Sequence, residues 1–287
     1  MGVNDSFLIT TPIMLTTMSE TQRDFFVESD MLESQLLATS GGCVVAIARR
    51  CPGKEEPNDD SAVVVRAASG SVVMAVADGV GGCPLGYKAS AIAVECIAEA
   101  VLAADWNVDL RAPILDAIEK ANEVILDLGV GAATTLSVVE IVDSKARAYT
   151  VGDSMTMIVG QRGTLKWRST SHSPVGYAVE SGLLDEESAM IHDERHVVSN
   201  LVGSSKMHIG VGPAQTLRPR DRVLIASDGL FDNLHVSEVV SRIKNGDPQK
   251  QMEALIRFAD DRMHGRTDEL PGKPDDLTVL LYSQKPK

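Results

Sequence analysis

The chain has 287 residues, of which 44% are hydrophobic, so it can form one large domain or two small ones with a sizeable core. Its 40 acidic residues outnumber the 27 basic ones and give a formal net charge of −13, which argues against nucleic-acid binding because such surfaces concentrate Lys and Arg. No apolar run approaches the ~20 residues of a membrane-spanning helix and residues 1–20 lack the basic start of a signal peptide, so we expect a cytoplasmic protein without stable membrane association.

The first half of the sequence predicts an N-terminal arm followed by three strands and two helices. Residues 1–38 have mixed composition and no clear period, and we interpret them as an N-terminal extension or partly ordered arm before a domain at 39–287. Apolar runs rich in Val and Ala predict three strands, at 43–49, 61–66 and 71–77. Apolar residues at helical spacing then predict two helices, at about 86–104 and 108–128.

The second half repeats this order around a polar insert. The predicted strands lie at 134–142, 146–151, 155–160 and 164–169, and a final pair lies at 222–227 and 277–282. The insert at about 171–205 contains a short helical piece that we expect to begin near Asp185. Two more helices are predicted at about 236–244 and 248–264. Separate blocks of strands and helix pairs predict an α+β fold with antiparallel sheets covered by helices.

Four aspartates stand at the ends of predicted strands: Asp60, Asp78, Asp228 and Asp275. A carboxylate at a strand end projects from a rigid sheet edge, and four of them in one place would repel one another strongly. The usual remedy is a cluster of hard divalent cations, Mg²⁺ or Mn²⁺, which prefer oxygen ligands. The four cysteines have no CxxC spacing, so zinc is not expected. The sequence therefore predicts a metal-dependent hydrolase.

Six ordered segments make the prediction specific: NDDSAVVV, VADGVGG, ATTLSVVEI, YTVGDSMTMIVG, IASDGLFDN and PDDLTVLLY. Over about residues 41–284 they resemble the metal-dependent serine/threonine phosphatases of the protein phosphatase 2C family. The resemblance implies a four-layer αββα sandwich, in which helix pairs flank two antiparallel β-sheets and two metal ions lie at one edge. The insert at 171–205 resembles the family's flap, which is expected to shape substrate access.

The resemblance also implies roles for single residues. The implied metal ligands are Asp78, bridging both ions, the carbonyl of Gly79, and Asp60, Asp228 and Asp275, and we expect catalysis to depend most on Asp78 and Asp228. Asp153 matches a position that helps to hold a weaker third ion in bacterial relatives. Two ions ~3.5–4 Å apart can share one hydroxide and orient it in line with the leaving group.

Two departures from the family's pattern concern the substrate. Many members carry His two residues after the bridging aspartate, a candidate general acid, where this chain has Val80. An Arg that commonly binds substrate phosphate five residues before the first metal aspartate is replaced by Glu55. Lys54, Arg49 and Arg50 are near enough in sequence to bind phosphate instead, or are solvated charges on a loop.

The function predicted is hydrolysis of phosphoserine and phosphothreonine in a phosphorylated protein substrate, by a monomer. One alternative is a regulatory or binding module that keeps the fold but turns over poorly, for which a lost metal ligand would be the sign, and none is lost. Another is a phosphatase of small phosphorylated metabolites, which stays open because no sequence pattern in the flap indicates the substrate.

Overall fold

The computed structural model describes residues 21–267 and 272–285, and its centre is a pair of facing antiparallel β-sheets. The first sheet contains, in spatial order, β1 (Gln22–Val27), β4 (Asp60–Arg66), β5 (Val72–Asp78), β6 (Leu136–Val142), β7 (Lys145–Val151) and β10 (Gly210–Val211), with β11 (Gln215–Thr216) also paired to β7. The second contains β2 (Gln35–Ala38), β3 (Gly42–Arg49), β13 (Leu277–Gln284), β12 (Arg222–Ala226), β8 (Met155–Val159) and β9 (Leu165–Arg168).

Helix pairs cover the outer faces of the sandwich. The first sheet carries α1 (Gly86–Ala103) and α2 (Arg111–Asp127), and the second carries α6 (Val236–Ile243) and α7 (Pro248–Met263). Three shorter helices are α3 (Pro174–Glu180), α4 (Glu186–Met190) and α5 (Asp228–Phe231). One hydrophobic core lies between the sheets and one lies under each helix pair. The predicted four-layer α+β sandwich is confirmed.

Burial on both faces explains why the central strands read as continuous apolar runs. In β4, Val63 and Val65 belong to the core under α1 and α2, whereas Ala62 and Val64 belong to the core between the sheets. Successive side chains of a strand point to opposite faces, so a strand with both faces covered needs apolar residues at every position.

The prediction that the domain begins near residue 39 is wrong for residues 22–38. Strand β1 pairs with β4 and β2 pairs with β3, both antiparallel, and Phe26 and Leu37 are buried between the sheets. These are edge strands with an exposed face, so polar residues interrupt their apolar pattern. Residues 1–20 lie outside the described residues, and the extension stays a prediction for them.

The insert at 171–205, called the flap below, is held at its base by a buried histidine. The Nδ1 of His172 accepts a hydrogen bond from the Gly152 backbone N–H at 3.2 Å and lies 2.8 Å from the amide nitrogen of Asn200. Burial, followed by the nearby His208, lowers the pKa of His172 to about 4, so the ring is neutral at pH 7. The flap carries α3, which sequence reasoning missed, and α4, which begins at Glu186, next to the predicted start, with Asp185 as its N-cap.

None of the helices within residues 21–267 and 272–285 combines the length and the apolar character needed to cross a bilayer.

Candidate metal centre

Strands β4 and β5 bring the first two predicted ligands together, because Asp60 lies directly opposite Asp78 in the sheet. Asp60 is fully buried, and its Oδ2 accepts a hydrogen bond from the Ser227 hydroxyl at 2.7 Å. Its Oδ1 is buried with no hydrogen-bond partner in the structure. Burial, with the nearby charges of Asp276 and Asp228, raises the pKa of Asp60 well above its usual range. A buried carboxylate oxygen without a partner is costly and needs a cation or a proton.

The backbone of Asp78 is fixed on both sides by two threonines. Its N–H donates to the Thr135 hydroxyl at 3.2 Å, and its carbonyl accepts from the Thr135 N–H and the Thr134 hydroxyl, both at 2.8 Å. Loss of solvent, then the carboxylates of Asp228 and Asp60, raise the pKa of Asp78 well above its usual range. The strand end thus holds a carboxylate that other carboxylates destabilise as an anion.

Gly79 is required by a close backbone approach at this strand end. A Cβ at Gly79 would lie 2.4 Å from the carbonyl of Gly86, at the start of α1, and 2.8 Å from the carbonyl of Asp59. A Cβ at Gly81 would meet nothing within 4 Å. Only Gly fits at position 79, and it brings α1 against the edge that carries the carboxylates.

A second group of carboxylates surrounds the ammonium of Lys273. Its Nζ lies 3.2 Å from Asp228 Oδ2, 2.7 Å from Asp232 Oδ2 and 2.9 Å from Asp275 Oδ2. These carboxylates raise the pKa of Lys273 even though loss of solvent lowers it. Sequence reasoning predicted Asp228 and Asp275 but missed Asp232 and Lys273. The available signals were weak: Asp232 comes one helical turn after Asp228, and Lys273 two residues before Asp275.

Asp153, in the turn between β7 and β8, faces the same group. Burial, then the charges of Asp228 and Asp232, raises the pKa of Asp153 to about 8. The structure therefore brings all five predicted aspartates to one region, where each has a raised pKa. The roles of these residues and of Gly79 as metal ligands stay predictions.

The donor set fits hard divalent cations that keep part of their hydration. It is made of carboxylate and carbonyl oxygens, which Mg²⁺ and Mn²⁺ prefer, and it includes the unpartnered buried oxygen of Asp60. Within residues 21–267 and 272–285, no three or more Asp, Glu, His or Cys side chains are arranged to hold an ion as they stand. A closed cage is not required, because Mg²⁺ commonly binds through one or two carboxylates and several waters.

Lys54, predicted to bind phosphate, borders this centre but already has two carboxylate partners. Its Nζ lies 2.6 Å from Asp59 Oδ2 and 2.6 Å from Asp276 Oδ2. Asp276 also accepts hydrogen bonds from the backbone N–H groups of Cys51 and Asp59, both at 2.7 Å. An ammonium has three N–H donors, so Lys54 keeps one for a further acceptor.

Arg49 and Arg50 turn towards partners outside the centre. A guanidinium nitrogen of Arg49 lies 4.0 Å from Asp260, on α7. The Nη2 of Arg50 lies 3.5 Å from Asp30, and its Nη1 donates to the Glu55 carbonyl at 3.2 Å. The structure thus brings Lys54, and neither arginine, against residues adjacent to the predicted ligands.

A cavity of about 150 Å³ lies between the flap and the carboxylates. Asp153, Asp228 and Asp232 line it on the side of the centre. Its apolar lining includes Val175, Val179, Ala189 and Met190 from the flap. Arg195, also from the flap, lines the cavity and carries a buried Nε without a hydrogen-bond partner. The cavity joins the charged centre to an apolar surface.

Comparison with known proteins decides the family, since the family model described as protein phosphatase 2C matches residues 49–258. The chain belongs to the protein phosphatase 2C family. The recognition made from the six sequence segments is confirmed.

Among curated relatives of this phosphatase family, the protein phosphatase PhpP of Streptococcus pneumoniae is 29% identical over 226 residues, which are 75% of this chain and 87% of that protein. The serine/threonine phosphatase stp of Listeria monocytogenes is 27% identical over 244 residues, 79% of this chain and 90% of that protein.

Solved structures share the fold of this phosphatase family member. The serine/threonine phosphatase PstP/Ppp of Mycobacterium tuberculosis is 22% identical with a TM-score of 0.70, over 88% of this chain and 100% of that chain. The catalytic domain of the serine/threonine protein phosphatase PstP in complex with two manganese ions is 22% identical with a TM-score of 0.68, over 84% of this chain and 97% of that chain.

Proposed function

We propose that this protein is a metal-dependent phosphoprotein phosphatase that hydrolyses phosphoserine and phosphothreonine. The observation that carries the proposal is the convergence of Asp60, Asp78, Asp228 and Asp275 at one sandwich edge, in a chain of the protein phosphatase 2C family. Relatives named as protein phosphatases and as serine/threonine phosphatases support it, as does the related catalytic domain in complex with two manganese ions.

Two Mn²⁺ or Mg²⁺ ions would be held by the carboxylates of Asp60, Asp78, Asp228 and Asp275 and by the Gly79 carbonyl. When bound, such ions supply a nucleophile at neutral pH and neutralise the oxygens of the phosphoryl group. With four carboxylates around it, the site disfavours a phosphate dianion until that charge is balanced.

The surrounding residues fix the ligands in place. Ser227 receives a hydrogen bond from the Thr278 N–H at 3.1 Å and donates its own to Asp60 at 2.7 Å. These two hydrogen bonds connect the ends of β12 and β13 to Asp60 on the opposite sheet. Thr134 and Thr135 hold the Asp78 backbone in the same way. Ligand positions set by two rigid sheets require little reorganisation during the reaction.

Lys54 is our candidate for the phosphate contact that Glu55 does not provide. Its ammonium is half-buried beside the centre and keeps one N–H after bonding Asp59 and Asp276. One charge-assisted hydrogen bond contributes about 1.5–3 kcal/mol, a substantial share of phosphate binding. Val80 cannot supply a proton to the leaving alkoxide, so we expect water to deliver it.

A peptide fits the site better than a small metabolite does. The apolar flap wall beside the carboxylates gives apolar side chains next to a phosphorylated residue a surface to bury, whereas the hydroxyl groups of a polar metabolite would lose hydrogen bonds to water there. The alternative of a poorly active regulatory module has no support in the ligand set, since none of the four aspartates is missing.

The test compares substrates on protein stripped of metal with EDTA. Phosphate release is measured from phosphothreonine and phosphoserine peptides, p-nitrophenyl phosphate and a panel of small phosphorylated metabolites, with and without Mn²⁺. We expect Mn²⁺-dependent turnover, with kcat/KM for the peptides above that for every metabolite. Metabolites preferred over peptides would support a metabolite phosphatase, and no turnover despite bound Mn²⁺ would support a regulatory module.

A further inference from the structure

The backbone of Lys273 is clamped against the segment that begins with Asp228. Its N–H donates to the side-chain oxygen of Asn233 at 2.8 Å, and its carbonyl accepts from the amide nitrogen of the same Asn233 at 2.8 Å. That amide nitrogen also donates to the Gly229 carbonyl at 2.9 Å, and Asn233 is fully buried. The position of Lys273 is therefore set by the fold and not only by its charge.

The hydrogen bonds to Asn233 place the ammonium of Lys273 among the carboxylates on the Asp153 side of the centre. The three partners of the Nζ are Asp228, Asp232 and Asp275, at 2.7–3.2 Å. An ammonium has three N–H donors, so these carboxylates match its full donor capacity. Asp153 interacts electrostatically with the same ammonium and with Asp228 and Asp232.

We propose that the ammonium of Lys273 balances the carboxylates on the Asp153 side of the centre and takes the place of a third divalent ion. The protein then binds two divalent ions, where the resemblance of Asp153 to its bacterial relatives implies a third. The inference rests on the metal centre of the proposed function. It changes the role of Asp153 from a ligand of a third metal to a neighbour of a fixed ammonium.

Two physical reasons favour the lysine over a third ion. A tethered ammonium whose backbone is already ordered loses little freedom when it meets the carboxylates, whereas an ion from solution must be captured and partly dehydrated. A third divalent ion would find Asp228 and Asp275 already shared between the two ions and the ammonium, and expelling the ammonium would leave a half-buried charge without its partners.

The experiment counts bound ions on the full chain by equilibrium dialysis of EDTA-stripped protein against Mn²⁺, with metal and protein measured separately. We expect the wild type to saturate at two ions per chain. Lys273→Met, which keeps the length of the side chain without its charge, should saturate at three. The double variant Lys273→Met with Asp153→Asn should return to two.

A matched control and a second substitution separate this effect from a general change of charge. Lys166→Met removes another lysine that bonds a buried carboxylate, Asp221, away from the centre, and should leave the count at two. Lys273→Gln should repeat the count of Lys273→Met, and each variant's fold is checked by circular dichroism with Mn²⁺ present.

Three ions on the wild type would overturn the proposal whatever the variants do. Two ions on folded Lys273→Met and Lys273→Gln would overturn it as well, because removal of the ammonium would not have opened a site. No ion on the wild type is a different failure, since it would contradict the metal centre and with it the proposed function.

Discussion

Replacing Asp60 by asparagine should change the stability of the protein in opposite directions with and without metal. Asp60 is fully buried, and only one of its oxygens has a hydrogen-bond partner, Ser227. Asparagine keeps an acceptor for Ser227, removes the buried charge, and turns the unpartnered oxygen into an N–H group beside the carboxylates of Asp276 and Asp228, whose charges act on this position.

The magnitude follows from the cost of an unsatisfied buried polar group, about 1–3 kcal/mol. Asp60→Asn should raise the free energy of unfolding of metal-free protein by that amount. For a domain of this size each kcal/mol moves Tm by about 2–4 °C, so we expect an increase of about 2–12 °C in EDTA. Each of the two ions stabilises the wild type by about 2.7 kcal/mol at a hundredfold excess over its Kd. The variant lacks a ligand and should gain less than half of the total.

The assay is differential scanning calorimetry in EDTA and in Mn²⁺, with Asp221→Asn as the matched control. Asp221 is also buried, but it is paired with Lys166 and accepts a hydrogen bond from the Arg218 N–H at 2.7 Å. Asp221→Asn should lower Tm by a similar amount in both conditions. The reasoning is refuted if Asp60→Asn lowers Tm in EDTA as the control does, or gains as much from Mn²⁺ as the wild type.

Three further predictions concern charge at the centre. The pKa values of Asp60, Asp78 and Asp153 are raised in the folded state, so the native protein binds more protons than the unfolded chain. Calorimetry of metal-free protein should therefore show Tm rising as pH falls from 8 to 6.5, and Mn²⁺ should remove this trend. A rise of Tm with pH in EDTA would contradict the prediction. Below pH 6.5 the lowered pKa of His172 acts in the opposite direction. Asp78→Asn and Asp228→Asn should each reduce kcat for a phosphopeptide by several orders of magnitude while circular dichroism stays unchanged, and wild-type rates in either would break the assignment. Lys54→Ala should raise KM about ten- to a hundredfold and lower kcat less, with Arg49→Ala as the control; equal KM values in the two variants would remove Lys54 from phosphate binding.

The sequence was sufficient for most of the sandwich because its central strands are covered on both faces. Continuous runs such as SAVVVR over 61–66 and the helical patterns after 86 match elements within a few residues. Strand β1 was missed because its outer face is exposed and its polar residues hide the alternation. The flap helix α3 was missed although Ser173 caps it and Pro174 begins it, because its few buried residues leave no apolar period.

At the site, residues within recognisable segments could be predicted, and residues that act through tertiary contacts could not. Asp60 and Asp78 were found from their segments, and the register of β4 and β5 places them opposite each other. Lys273 has no pattern of its own, because its position depends on hydrogen bonds to Asn233, forty residues earlier in the chain. The pairing of Lys54 with Asp276 likewise depends on tertiary contact, because the two residues are 222 positions apart in the sequence.

The most direct test of the metal centre is a Mn²⁺ titration of EDTA-stripped protein in which bound metal and phosphate release from a phosphothreonine peptide are measured on the same samples. We predict no turnover without metal and a rate that rises as the second ion binds and then stays constant. Full turnover at zero bound metal, with Asp78→Asn equally active, would contradict the account.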